Sequence, residues 1–263
     1  MSTLTSSSAV RTAFVKVPEI TAYFWIIKVL STTVGETFAD YLTNNIGLGE
    51  WGTLGVMTAA FFAALIWQFR CSTYFAPAYW LTVVLISVTG TLITDNMSDN
   101  LHISLVTSTI GFSIALAITF IAWYRVEGTL SIHTVDNFRR ETFYWLTILF
   151  TFALGTAAGD LFSEKFALGY FTTLCVFVAC VLVVAAAWRL KWINAIAAFW
   201  ATYVITRPLG ASVGDFLSQP KNASGEGLGT TVTSLIFLAL ILLFVTFLAL
   251  TKRDAPKDEV VAA

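Results

Sequence analysis

Polar residues in this chain are gathered into short breaks between long apolar runs. The runs extend over about 20–42, 51–69, 78–97, from the turn at Asp99 and His102 to Tyr124, then 142–161, 167–188, 196–217 and 230–250. Most approach or exceed the roughly 18–20 residues that cross a bilayer as a helix. The alternation over about ten residues that marks a transmembrane barrel strand is absent. The pattern predicts an all-α polytopic membrane protein with eight transmembrane helices.

A finer pattern lies inside the odd-numbered runs. Tyr or Phe precedes a Trp, a Gly follows ten residues after that Trp, and an Asp follows fifteen after it. The tryptophans are Trp25, Trp80, Trp145 and Trp200, the glycines Gly35, Gly90, Gly155 and Gly210, and the aspartates Asp40, Asp95, Asp160 and Asp215. Start-to-start spacings of 55, 65 and 55 residues make this an internal repeat with one longer linker. The implied units are repeat 1 at 20–70, repeat 2 at 78–125, repeat 3 at 142–189 and repeat 4 at 195–250. A polar segment at 1–19, a linker at 126–141 and a polar tail at 251–263, read as disordered, complete the chain. Each unit reads as a two-helix hairpin, and all four point the same way.

Positions four apart share one helix face. Counted +3, +7, +11 and +15 from each Trp, that face carries Lys28, Thr32, Glu36 and Asp40 in repeat 1 and Val83, Ser87, Thr91 and Asp95 in repeat 2. In repeat 3 it carries Ile148, Phe152, Thr156 and Asp160, and in repeat 4 Tyr203, Arg207, Ala211 and Asp215. The Asp is constant and the rest diverges, so the units predict an asymmetric site. Ionisable groups inside membrane helices are costly and usually mark a pathway or binding site. The competing reading has the aspartates simply closing the outer ends of their helices. Lys28 and Arg207 either hold the acids ionised when no substrate is bound or act as permanent ion-pair staples. The glycines, with Ala39, Gly159 and Gly214 beside them, read as close-packing positions; an unwound segment binding a cation is the alternative.

Charge orients the helices. Arg11, Lys16, Arg70, Arg125, Arg139, Arg140, Arg189, Lys191, Lys252, Arg253 and Lys257 fall on one side of this layout, and only Lys165 and Lys221 on the other. That bias puts both termini and the long linker in the cytoplasm. Trp67, Trp123 and Trp188 read as interfacial anchors; the four repeat tryptophans are either anchors or helix-packing residues. Hydrophobic residues make up 57% and charged residues 12% of the chain, with net charge -1, which excludes a nucleic-acid partner. The three cysteines form no framework, and Cys175 and Cys180 read as small buried hydrophobes. No signal-peptide core follows the polar N-terminal stretch.

Carboxylates with Thr and Ser oxygens suit hard cations. The metal-ligand candidates are therefore Glu36, Asp40, Asp95, Asp160 and Asp215, and the ion pathway adds Lys28, Arg207, Thr32, Thr91 and Thr156. His102 beside Asp99 is a peripheral candidate, and His133 lies in the linker. No catalytic motif is present, so an enzyme is not expected, nor any cofactor beyond a transported ion. The leading expectation is a secondary transporter of a small cation, a Mn²⁺- or Mg²⁺-like divalent metal exporter coupled to protons, since a desolvated carboxylate can exchange protons near neutrality. The alternatives are a structural or sensory membrane protein without a transported substrate, and a cation channel. The partners are the lipid bilayer and the cation, with a homo-oligomer left open.

The segments YFWIIKVLSTTVGETFAD, YWLTVVLISVTGTLITD, YWLTILFTFALGTAAGD and FWATYVITRPLGASVGD resemble the bacterial integral membrane proteins built from a four-fold repeat of unknown function, also described as uncharacterised membrane-anchored proteins. The resemblance covers roughly residues 20–250. It implies this architecture and a bacterial inner membrane, and no activity. Thr91, Thr156 and Ala211 replace Glu36 in the later copies, which argues against four equivalent sites.

Overall fold

The computed structural model describes residues 15–256, so Arg11 and Lys257 lie outside the described residues. Eight α-helices and no strand occur among the described residues: α1 (Ala22–Asp40), α2 (Gly49–Arg70), α3 (Ala76–Asp95), α4 (Leu105–Glu127), α5 (Phe138–Asp160), α6 (Tyr170–Arg189), α7 (Ala195–Ser218) and α8 (Thr230–Thr251). Their starts follow local chemistry. Thr21, Ser104, Asn137 and Asn194 each accept a backbone N–H three residues on, and Pro77 occupies the first turn of α3. A π-helical turn follows the Asp that ends α1, α3 and α5, over Tyr41–Asn45, Asn96–Asn100 and Leu161–Lys165; α7 instead runs straight on through Asp215. Six helices are long and apolar enough to cross a membrane. The protein is therefore a membrane protein. The other two, α1 and α7, carry the buried Lys28, Glu36, Arg207 and Asp215.

The odd-numbered helices form an inner ring, with α1 packed on α3, α3 on α5, α5 on α7 and α7 back on α1. Around it, α2 packs chiefly on α3, α4 on α5, α6 on α7 and α8 on α1. Each outer helix thus leans on the inner helix of the following repeat, a packing that the hairpin pattern alone does not specify. The closest-packing faces of the inner helices are already occupied by the ring, so the repeats interlock. Burial follows this layering: 78% of the α3 span is buried, against 17% for α4 and 11% for α6. Ile110, Ile114, Ile118 and Ile121 point outward from α4. Cys175 is exposed and Cys180 half-buried on α6, contrary to the expectation of two buried thiols.

Two cyclic sets of contacts close the ring. At one level a Cβ added to Gly35 would overlap Ser87, one on Gly90 would overlap Phe152, one on Gly155 would overlap Arg207, and one on Gly210 would overlap Thr32. In each case the +10 glycine of one repeat receives the +7 side chain of the next. The glycines lie within continuous helix, so close approach explains them and no unwound segment is present there. At the other level the aromatic residue before each Trp meets the Trp of the next repeat. The ring centroids lie 5.6 Å apart for Phe24–Trp80, 5.5 Å for Tyr79–Trp145, 6.2 Å for Tyr144–Trp200 and 5.6 Å for Phe199–Trp25. Such pairs contribute about 1 kcal/mol each beyond their buried area. The repeat tryptophans are packing residues. Trp67 and Trp188 are exposed, as anchors should be, but Trp123 is fully buried, stacks on Phe143 and meets Trp200 edge-on, correcting its reading as an anchor.

The tryptophan end of the ring is covered by four connecting segments. Val15 and Val17 are buried there; the Tyr74 amide donates to Val15 O, the Lys16 amide to Val135 O, and the Glu19 amide to Asp254 O. Lys16 Nζ pairs with Glu141 at 2.8 Å, and Gln68 donates to the same carboxylate at 3.1 Å. Asp254, in the tail expected to be disordered, is 1% exposed and accepts the Tyr74 hydroxyl. Burial pushes the Asp254 carboxyl above its ordinary value. The folded chain therefore holds this proton more tightly than the unfolded one. Its contribution to stability is complete below the ordinary carboxylate pKa of about 3.9 and is lost as pH climbs through the raised value. Thermal unfolding in detergent should show wild type losing stability relative to Asp254→Asn as pH rises from about 4.

Candidate functional site

The four inner helices present their shared face to the ring axis, so equivalent positions form layers along it. The +3 layer contains Lys28 and Tyr203. Lys28 is fully buried; its Nζ donates to Tyr203 O at 3.0 Å and lies 4.4 Å from the centre of the Tyr203 ring and 5.2 Å from that of Phe152. Two rings and a carbonyl form a cation–π cage around the ammonium. Pro208 lies within α7 and removes one backbone donor from that helix. Side chains of α1 reach its carbonyls here: besides Lys28, Thr32 donates to Thr206 O at 3.4 Å and Thr33 to Gly210 O at 3.0 Å.

One layer nearer the aspartates lies a charged floor. Arg207 is fully buried, and its Nη2 donates to Glu36 Oε2 at 3.3 Å, to Thr156 Oγ1 at 2.7 Å and to Thr91 Oγ1. Thr91 also donates to Glu36 at 3.5 Å. One nitrogen thus gathers the +11 side chains of three repeats, while Arg207 Nε and Nη1 have no hydrogen-bond partner among the described residues. Gly155 makes room for the stem of Arg207, whose guanidinium carbon lies 5.5 Å from the centre of the Phe152 ring.

Above this floor is a polar cavity of about 240 Å³. Glu36 and all four repeat aspartates line it. Glu36, Asp160 and Asp215 each offer one carboxylate oxygen, and these three lie within 4.8 Å of one another. Glu36 and Asp215 are buried, 7% and 8% exposed, while Asp160 is half-buried. Asp40 lies off this cluster and accepts Gln219 Nε2 at 3.4 Å. Three convergent carboxylate oxygens, with hydroxyls beneath them, are a donor set suited to a hard cation. Divalent ions of that kind sit 2.0–2.6 Å from their oxygens and take six or more of them, so a modest inward movement of the side chains would supply three ligands and leave the rest of the shell to water.

The sequence matches a repeat family four times, at residues 23–74, 78–129, 143–191 and 198–254, described as Repeat of Unknown Function (DUF347). The chain belongs to this family. Each DUF347 unit holds one inner and one outer helix, so the ring of acids draws one Asp from every repeat. No curated protein and no solved structure matches the chain.

Of the residues singled out from sequence, Glu36, Asp40, Asp95, Asp160 and Asp215 meet at one cavity, and Thr91, Thr156 and Arg207 form its floor. Lys28 and Thr32 do not line it; they bind α7 carbonyls at deeper levels. His102 and His133 are exposed and outside the cluster. The cavity adds residues that sequence reasoning left out of the site, namely Asn44, Asp99 (noted there only beside His102), Glu164 and Gln219, together with Glu50, Ser98, Thr43 and Tyr170. The first four occupy position +19 of the four repeats, one more four-residue step beyond the Asp. Extending the same count by one turn would have found this outer polar ring. Glu50 has no such periodic signal; it reaches the cavity from the start of α2 and accepts from Asn100.

Proposed function

We propose that this protein is a secondary transporter of a small hard cation, with a Mn²⁺- or Mg²⁺-like divalent ion as substrate and protons as the counter-ion. The observation that carries this reading is the convergence of Glu36, Asp160 and Asp215 at the floor of one acidic cavity. Acids that only closed helix ends would face separate helix contacts, and a structural or sensory role would need no shared polar chamber. Glu36 supports the transport reading most directly. It lies a turn deeper than the aspartates and is held between hydroxyls and a guanidinium.

All eight helices cross the bilayer in this reading, with α1 and α7 shielded from lipid by the outer layer. The basic residues Arg70, Arg125, Arg139, Arg140, Arg189 and Lys191 lie near the tryptophan end, and the exposed Lys165 and Lys221 near the aspartate end. The positive-inside rule then sets the tryptophan end in the cytoplasm and opens the acidic cavity to the other side. The packed connectors and aromatic layers close the cytoplasmic end, so the conformation described is outward-open. Proton coupling in this reading falls to Asp160 and Asp215, the two carboxylates of the cluster that do not pair with Arg207, which take up protons as the cation leaves them.

The test is flux in proteoliposomes loaded with a panel of divalent ions, with Asp160→Asn/Asp215→Asn beside wild type. Saturable movement of one ion, lost in the double variant, is the expected result. No flux of any ion through folded, reconstituted protein would sink the transport reading and favour the structural or sensory class.

A further inference from the structure

The floor of the cavity contains a cation of its own. Arg207 shares a carboxylate with the three-oxygen cluster, since the Glu36 group that meets Asp160 and Asp215 also accepts Arg207 Nη2 at 3.3 Å. A permanent staple between Arg and a carboxylate typically uses two parallel N–H bonds. Here a single nitrogen makes every hydrogen bond of the guanidinium, and Nε and Nη1, both buried, have no acceptor among the described residues. The tip is held by two hydroxyls, one acid and the face of Phe152, with no second N–H bond locking it to Glu36. Lys28 cannot take over this role, because its ammonium is committed to Tyr203 O and two aromatic faces in the deeper layer.

Building on the cation-transport reading, we propose that Arg207 is the resident counter-cation of the acidic cavity. It occupies the place beside Glu36 that a divalent ion takes during transport, so that ion binding and the Arg207–Glu36 pair oppose one another. The pair stabilises Glu36 as a carboxylate between transport events, in a layer where an unpaired charge would be costly. It also holds the site's affinity down, so that an ion bound among three carboxylates can still leave. Thr91, Thr156 and Ala211 at the equivalent +11 positions offer no negative charge to an arginine, so the device is used once in the ring.

The experiment is direct binding of Mn²⁺ to purified protein in detergent, followed by electron paramagnetic resonance, with Mg²⁺ as competitor. Arg207→Gln should bind Mn²⁺ at least about tenfold more tightly than wild type, a shift of about 1.4 kcal/mol. Arg207→Lys, which keeps the charge, should stay within about threefold. In Arg207→Ala, free guanidinium ion at tens of millimolar should fill the vacated place and lower Mn²⁺ affinity again. Unchanged or weaker binding in folded Arg207→Gln overturns the proposal. So does a set in which Arg207→Lys folds while both neutral variants fail to fold, since Arg207 would then be a structural tie. Transport and binding separate the two claims. A tightened Arg207→Gln without flux in wild type would sink the transport reading alone, whereas flux with no tightening would sink the counter-cation alone.

Discussion

Gly210→Val should leave little folded protein, with the yield of monodisperse protein in detergent collapsing and the remainder melting far below wild type. A Cβ at Gly210 would overlap the Thr32 side chain and come within 3.1 Å of Val29 O. Thr32 cannot swing aside cheaply, because its hydroxyl already binds Val29 O at 2.6 Å and Thr206 O at 3.4 Å. The α1 and α7 backbones would have to separate, at the seam where the last repeat meets the first. Overpacking a close contact costs about 1–3 kcal/mol when side chains can adjust, and opening this seam also releases the Thr33–Gly210 and Lys28–Tyr203 hydrogen bonds. A loss of about 4 kcal/mol or more is expected. Gly159→Ala is the control. An added Cβ there meets Pro208 at an ordinary 3.7 Å, so its melting temperature should stay close to wild type.

The contrast between these two glycines shows what sequence could and could not reveal. The recurring Trp and Gly were legible because each is fixed by a cyclic contact repeated four times. The Gly spacing is set by the next repeat's +7 side chain, and the Trp spacing by the preceding repeat's aromatic residue. Gly159 has no such constraint, yet it looks identical to Gly214 in the pattern; a Cβ added at Gly214 would meet Thr37 and Thr33 O at 3.1 and 3.2 Å. The partner of each outer helix was not legible at all. Neighbours in sequence suggest a hairpin, but packing in a closed ring is decided by which face remains after the inner helices have met. The burial of Trp123 and of Asp254 has the same cause: both are covered by segments far away in sequence, Phe143 and Trp200 for one and Tyr74 for the other. The acids were found because ionised groups are conspicuous in apolar helices. Their ranking depended on the third dimension.

That ranking is the last expectation and the sharpest. Glu36→Gln should lower cation flux by about a hundredfold or more, whereas Asp40→Asn and Asp95→Asn should each cost about tenfold or less. All five acids line the cavity and attract cations into it, so each contributes a long-range field that salt screens within about 8–10 Å. Only Glu36, Asp160 and Asp215 bring oxygens within 4.8 Å of one another, close enough for one ion to bind all three. A unit charge pair about 4 Å apart is worth roughly 4 kcal/mol at an effective dielectric of about 20, so losing a direct ligand outweighs losing a distant charge. Glu36→Gln has a second consequence, because it strands the Arg207 guanidinium without the one carboxylate it pairs with among the described residues. Raising ionic strength should shrink the deficits of Asp40→Asn and Asp95→Asn while leaving that of Glu36→Gln in place. Equal deficits for all five acids, erased together by salt, would mean an electrostatic funnel with no coordinating site. A graded series, with Glu36, Asp160 and Asp215 at the top, would place the ion at the floor of the ring, against Arg207.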